Sequence, residues 1–269
     1  MREKLSRRII KEKKAASPAI SMVIITAATV VLVLVAGSFA TLVLDRQQAE
    51  TEFNALQKSI FALDDAIRDV AWKEGASRSV RFTTSKGSFR EVPSTGSMEI
   101  NFNGENLESF DTSVIEYVMS DSYISLEKEQ DYIDPLGKAD LMVFSVSDSL
   151  AQVSLEHKSG FAIISLGYRL RILDEGIADV IVEGTKTTVN YVNIYIIALS
   201  SPDFSGLNGP FDLVARNTGV STVTKIRSTS GNNSISIELN GASLGSESLN
   251  LDQEKVIFNL IISKVSVST

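Results

Sequence analysis

An uncharged run from Ala15 to Leu44 constrains this sequence more than any other feature. Its most apolar part, from Ala19 to Leu44, is 26 residues long. A helix that rises about 1.5 Å per residue needs about 20 such residues to cross the hydrocarbon core of a bilayer. The sequence therefore predicts one transmembrane helix, over residues 16–44, and no later stretch approaches it in length and apolar character.

The charges on either side of this run predict its orientation. Residues 1–14 hold seven basic and two acidic side chains, a balance of +5. Because the net charge of the whole chain is −7, the remaining 255 residues carry −12. By the positive-inside rule the N-terminus is cytoplasmic and the C-terminus lies outside the cell membrane. The acidic remainder lacks the basic patch of a nucleic-acid-binding protein. We therefore expect a membrane as partner and no nucleic acid.

The residues at the start of the run read Lys13, Lys14, Ala15, Ala16, Ser17, Pro18, Ala19 and Ile20. A basic pair, small residues and Ser-Pro before an apolar helix resemble the class III signal of archaeal type IV pilins and pilin-like proteins. The resemblance covers about 30 residues of the sequence. Ile20 stands where bacterial type IV pilins carry a glutamate, which favours the archaeal pattern.

The resemblance implies a processing site and a set of partners. A prepilin peptidase would cut between Ala15 and Ala16 on the cytoplasmic side, so residues 1–15 would be a leader. Self-association through the N-terminal helix would then build a filament. The chemistry of the junction is compatible, because small side chains expose the backbone and Pro18 suits the first turn of a helix.

Two simpler interpretations of the N-terminus stay open. One is a plain signal-anchor that is never cut. The other is a secretory signal cleaved near Ser38-Phe39-Ala40. The second is less favoured, because the apolar core of such signals is usually only about 7–15 residues long.

The helix is predicted to continue beyond the membrane as an amphipathic stalk over residues 45–74. Apolar residues recur there at intervals of three and four, which places them on one helical face. This seam consists of Phe53, Leu56, Ile60, Leu63, Ile67 and Val70. We expect one helix from about Pro18 to Lys73, ending at Glu74-Gly75. The seam could pair with a second helix or cover a β domain.

Residues 75–269 are predicted to form a β-rich region. Met98–Phe102 alternates apolar and polar residues and precedes Asn103-Gly104, which is a hairpin turn signal. About a dozen such segments predict an α+β protein: one long N-terminal helix followed by an all-β, sandwich-like extracellular domain. A domain boundary at residues 199–210 would divide this region, so the sequence is compatible with one β domain or with two.

The sequence offers little for catalysis. It has no cysteine and a single histidine, His157, which we expect at the surface. Asp64-Asp65 is interpreted as a solvated pair, and Asn101–Asn106 and Asp131–Asp134 as turns rather than cation sites. We therefore expect no enzyme, no cofactor and no metal site.

Asn232 begins the glycosylation sequon Asn232-Asn233-Ser234, which makes it a candidate glycosylation site.

The whole sequence is compatible with two functions. The first is a pilin-like structural subunit of an archaeal surface filament, held in the membrane as a precursor. The alternative is a single-pass membrane-anchored ectodomain that binds or adheres at the cell surface without forming filaments.

Overall fold

The computed structural model describes residues 2–93, 97–124, 126, 128–138, 140–182, 184–200 and 204–269, with helical side chains from residue 20 onward. The chain divides into an N-terminal unit, up to Glu50, and a β unit, Thr51–Thr269. One helix, α1, spans Arg2–Ala71.

The helix begins earlier than the sequence analysis predicts. Its first residue is Arg2 and not a residue near Pro18, because residues 2–14 are mostly Lys, Arg, Glu, Leu and Ile, with no Gly or Pro to stop a helix. The predicted end is close to the observed one. Ala71 is the last helical residue, and Gly75 follows with a φ of 76°, a left-handed conformation that glycine adopts without strain.

The β unit contains strands that run nearly to the C-terminus. They are β1 (Ser77–Pro93), β2 (Met98–Phe102), β3 (Glu105–Phe110), β4 (Ser113–Ser120), β5 (Gln130–Asp134), β6 (Met142–Val143), β7 (Ala151–Lys158), β8 (Phe161–Tyr168), β9 (Leu170–Val182), β10 (Thr185–Ser200), β11 (Ser205–Ser228), β12 (Asn233–Leu239), β13 (Ala242–Leu249) and β14 (Lys255–Ser268).

These strands form two sheets, and the predicted α+β class with a sandwich-like β domain is confirmed. The large sheet has the order β5-β7-β8-β4-β1-β11-β14-β10-β9-β6, and the small sheet has the order β13-β12-β2-β3. Most neighbouring strands are antiparallel, whereas β10 pairs with β14, and β6 with β9, in parallel.

The hairpin predicted at Asn103-Gly104 is present. Phe102 pairs with Glu105, so the loop has two residues. Their φ angles are 51° and 80°, as a type I′ turn requires. Strand β3 was not expected from the sequence. Leu107 is its one buried residue, so no alternating apolar pattern marks it.

Apolar side chains fill the space between the two sheets. The small sheet contributes Met98, Ile100, Phe102, Leu107, Ile235 and Ile237, and the large sheet contributes Leu170, Ile172, Val192, Ile194, Ile196, Ala198, Val256, Phe258, Leu260 and Ile262. Successive residues of a strand point to opposite faces. Ile194 and Ile196 therefore join this core, while Tyr195 between them contacts Trp72 on the other face.

The strands beyond residues 199–210 complete the same sheets. β11 pairs with β1 and β14, and β14 pairs with β10, all within the large sheet. β12 pairs with β2 in the small sheet. Residues 201–203 lie outside the described residues. The C-terminal strands therefore belong to one compact β unit.

Candidate functional site

One segment of α1 is apolar and uncovered. Every side chain from Ile20 to Leu44, the exposed apolar segment, is exposed. Large residues such as Met22 and Leu32 are 73% and 69% exposed. By length and composition, α1 is the one candidate membrane-spanning helix among the described residues. The protein thus has a helix near the N-terminus that is compatible with a single-pass anchor.

The predicted processing site lies in the first part of α1. The backbone of Lys13, Lys14, Ala15, Ala16, Ser17 and Pro18 is helical, and their side chains lie outside the described ones. The helical backbone extends from Arg2 through the predicted junction at Ala15 and Ala16.

The predicted seam lies in the interior of the β unit. All six side chains are at most 3% exposed, and the ring of Phe53 lies 6.3 Å from that of Tyr117 on β4. The sequence left two partners open for this face. In the structure the chain's own β strands cover it.

The Glu52 carboxylate binds the start of the seam on α1 to strand β1. The Glu52 side chain accepts hydrogen bonds from the backbone N–H groups of Ser85 and Lys86, both at 3.0 Å, and from the Tyr117 hydroxyl at 2.8 Å. The Ser85 hydroxyl also donates to it. The pairing of β1 with β11 breaks after Thr84 and resumes only at Phe89, so these two N–H groups point to Glu52 and not to β11.

Burial alone would raise the pKa of Glu52. The hydrogen bonds from Ser85, Lys86 and Tyr117 outweigh it and lower the pKa below its usual value. Burial and the Glu52 carboxylate raise the pKa of Tyr117, so its hydroxyl stays a donor. The result is a fixed, charge-assisted contact between α1 and the large sheet.

A second carboxylate, Asp64, is buried, so the prediction of a solvated Asp64-Asp65 pair is wrong for one member. Asp64 is 1% exposed, while Asp65 is exposed. The Arg68 Nε lies 2.9 Å from Asp64, and the Tyr168 hydroxyl donates to it at 2.8 Å. Burial raises the pKa of Asp64 despite both partners. Asp64 lies one helical turn after Ile60, and that spacing is the sequence signal for its position on the buried face.

The end of α1 is fixed by two distant strands. The Asn217 amide and the Ser263 hydroxyl both donate to the backbone carbonyl of Ala71. The Asn217 backbone N–H donates to Ala76 at 2.9 Å. We call Ala71, Asn217 and Ser263 the C-terminal clamp. Sequence analysis missed it, because the donors lie 146 and 192 residues from Ala71 and form no local motif.

Other residues from the sequence analysis lie at the surface of the β unit. His157 is exposed, with its Nε2 3.3 Å from an oxygen of Asp121. Asn101–Asn106 forms the β2–β3 hairpin. Asp131–Asp134 is part of strand β5 and not a turn, because these residues pair with β7. Asn232 is exposed between β11 and β12.

The helix α1 therefore has two consecutive parts with different surroundings. Its exposed apolar segment is long and apolar enough to cross a membrane. Its later turns are held in the β unit by the seam, Glu52, Asp64 and the C-terminal clamp.

Within the described residues, no group of three or more histidine, aspartate or glutamate side chains could hold a metal ion. Comparisons with protein-family models, curated proteins and solved structures give no match.

Proposed function

We propose that this chain is a pilin-like structural subunit of an archaeal type IV pilus-like surface filament. In this proposal the precursor is held in the cell membrane with its N-terminus in the cytoplasm. A prepilin peptidase removes residues 1–15, and the β unit lies outside the cell. The observation that carries the proposal is the division of α1 into an exposed apolar segment and a later part that is buried along one seam.

This division suits a subunit that changes its surroundings. The exposed apolar segment is 25 residues long and covered by no described side chain. Lipid covers such a surface before assembly, and neighbouring helices with the same surface cover it afterward. The β unit has its own core and needs no contribution from that segment, so it keeps its fold in both settings.

The test is the intact mass of the protein isolated from membranes with and without an archaeal prepilin peptidase. The proposal predicts a chain that begins at Ala16 only when the peptidase is present. A mass that includes residues 1–15 in both membranes would contradict the pilin-like function and support an uncut anchor that carries a surface ectodomain.

A pair of variants separates recognition of the junction from insertion. We expect Lys14→Ala combined with Ala15→Leu to abolish cleavage, while the other basic residues preserve insertion. Lys4→Ala combined with Ala27→Leu is the matched control, because it makes the same exchanges away from the junction. Cleavage of the first variant at the wild-type rate would contradict the predicted site.

Filament formation needs its own measurement. After cleavage, electron microscopy of sheared cell surfaces should show filaments that contain this chain. A fully cleaved protein that remains in the membrane fraction as a monomer would contradict the structural-subunit function while leaving the processing site intact.

A further inference from the structure

The connection between β11 and β12 carries the one Asn-X-Ser/Thr triplet of the chain, Asn232-Asn233-Ser234. Strand β11 ends at Ser228 and β12 begins at Asn233, so Asn232 is the last residue of the connection. Asn232 and the two residues before it are exposed. None of the roles described above uses this loop. Such a triplet accepts an N-linked saccharide at a protein surface, so its asparagine and its hydroxyl must both be accessible.

The two side chains that N-glycosylation requires take no part in the hydrogen bonding of the described residues. Asn232 contributes its backbone carbonyl, which accepts from the Ser230 hydroxyl at 3.0 Å. Ser234 contributes its backbone N–H, which donates to the Asn103 side chain at 2.8 Å. The Asn232 carboxamide and the Ser234 hydroxyl are left over. Modifying the carboxamide therefore breaks no hydrogen bond of the fold.

The neighbouring Asn233 has the opposite environment. It is 6% exposed. Its side-chain oxygen accepts from the Ser230 backbone N–H at 2.7 Å and from the Asn103 amide at 3.3 Å. These bonds close the loop and tie it to the β2–β3 hairpin. Asn233 thus fixes the loop from inside, and Asn232 lies on its solvent side.

Ser234 lies on the outer face of the small sheet. Successive side chains of a strand point to opposite faces, and Ile235 and Ile237 of β12 fill the core between the sheets. Ser234 and Ser236 therefore point away from that core. The hydroxyl of the triplet can be reached from solvent without opening the sandwich.

We propose that Asn232 is an N-glycosylation site. The donor is a saccharide carried on a lipid phosphate. The Asn232 Nδ2 forms a bond to the anomeric carbon of the saccharide, and the bond from that carbon to the phosphate oxygen breaks. The phosphate leaves with the electron pair, and the amide proton passes to a base of the transferase. The inference rests on the proposed function in one respect, because the transfer takes place outside the cell membrane, where that function puts the β unit.

A saccharide at Asn232 would also restrict how subunits pack. It is bulky and strongly hydrated. The Asn103-Gly104 turn lies beside the loop, since the Asn103 amide donates to Asn233 and Ser230. This end of the small sheet would then stay in solvent and form no contact between subunits.

Peptide mapping of the full chain, purified from the membranes of its native host, tests the proposal. Tryptic cleavage after Arg227 and Lys255 releases residues 228–255, which contain Asn232. We expect fragmentation of this peptide to place a saccharide on Asn232, and a host strain without its oligosaccharyltransferase to yield the bare peptide. An unmodified peptide from both strains overturns the proposal, as does a saccharide found only on serine or threonine.

Variants tie the modification to the triplet. We expect Asn232→Gln and Ser234→Ala to abolish it, whereas Ser234→Thr keeps the required hydroxyl and should retain it. Asn250→Gln is the matched control, because Asn250 is exposed and lies in the same peptide but in no such triplet. Retention of the saccharide in Asn232→Gln, or its loss in Asn250→Gln, overturns the assignment.

A separate measurement keeps this inference distinct from the proposed function. The chain has no cysteine, so Asn232→Cys introduces a single exposed thiol. We expect a membrane-impermeant maleimide to label it in intact cells. Labelling in intact cells together with an unmodified wild-type peptide overturns the glycosylation site and leaves the proposed orientation in place. Labelling only after lysis contradicts that orientation, and the glycosylation site with it.

Discussion

Two carboxylates of α1 differ in what surrounds them. Glu52 is half-buried and accepts hydrogen bonds from Ser85, Lys86 and Tyr117. Asp64 is fully buried, and its partners among the described residues are Arg68 and Tyr168. Hydrogen bonds lower the pKa of the first, and burial raises the pKa of the second. The two residues therefore respond to pH in opposite directions.

Replacing Glu52 should weaken the attachment of α1 to the large sheet. In Glu52→Gln, the amide cannot accept from every donor that now binds the carboxylate. We expect the free energy of unfolding of the β unit to fall by about 1–3 kcal/mol. Glu50→Gln, an exposed neighbour, is the matched control. Denaturant unfolding followed by circular dichroism measures both, and an equal effect of the two variants would contradict this role.

The contribution of Glu52 should also depend on pH. Its pKa is lower in the folded state than its usual value of 4.5. The stabilisation is therefore fully present above pH 4.5 and is lost as the pH falls through the folded-state pKa. The difference in stability between wild type and Glu52→Gln should shrink below about pH 4.5. A difference that stays constant down to about pH 2 would contradict the pKa shift.

The contribution of Asp64 to stability should change with pH in the opposite direction. Its folded-state pKa lies above the usual value of 3.8, so stabilisation by the protonated carboxyl is present below pH 3.8 and is lost as the pH rises through the folded-state pKa. We expect Asp64→Asn to gain stability relative to wild type as the pH rises from about 4 toward neutrality. Thermal unfolding at several pH values tests this, and a relative loss over that range would contradict the direction.

At the scale of elements, the C-terminal clamp joins a helix to strands that follow it by more than a hundred residues. Because Asn217 and Ser263 donate to the same carbonyl of Ala71, removal of one leaves the other in place. We expect Asn217→Ala to destabilise the β unit by about 1–3 kcal/mol. A double-mutant cycle with Ser263→Ala should give a nonzero coupling energy. Additive effects would show that the two donors act independently of each other.

Shortening a side chain should have different effects on stability in the buried part and in the exposed part of α1. Ile60 is fully buried, so Ile60→Ala leaves a cavity and should cost about 2–5 kcal/mol of unfolding free energy. Leu42 is 58% exposed and lies in the N-terminal unit, so Leu42→Ala should leave the unfolding of the β unit unchanged. Equal destabilisation by both variants would contradict the division of α1 into a buried and an exposed part.

These elements also show what could be predicted from the sequence. The exposed apolar segment, the seam and the Asn103-Gly104 turn follow from local periodicity or turn chemistry, so they were found. The start of α1 was missed, because Pro18 was given the role of a boundary. Strands β3 and β13 were missed because their side chains are mostly exposed and lack an apolar alternation.

At the scale of the whole molecule, the pairings that create the fold are nonlocal. The small sheet joins β2 to β12, so Phe102 pairs with Ile235, and the large sheet joins β1 to β11. The C-terminal clamp likewise joins the end of α1 to β11 and β14. No spacing in the sequence encodes such contacts, which is why the sequence indicated strands but neither their order nor the C-terminal clamp.

The seam of α1 is part of the core of the β unit. A chain of residues 47–269 keeps one helical turn before Glu52, the whole seam and the C-terminal clamp, and it lacks the exposed apolar segment. A chain of residues 77–269 lacks α1, so it exposes the apolar face of the large sheet that the seam covers. We expect the longer chain to be soluble without detergent and to unfold in one cooperative transition, and the shorter chain to aggregate. Size-exclusion chromatography and thermal circular dichroism distinguish these outcomes. A soluble, cooperatively folded chain of residues 77–269 would show that the seam is dispensable, and the helix would then be an appendage of the β unit rather than part of its core.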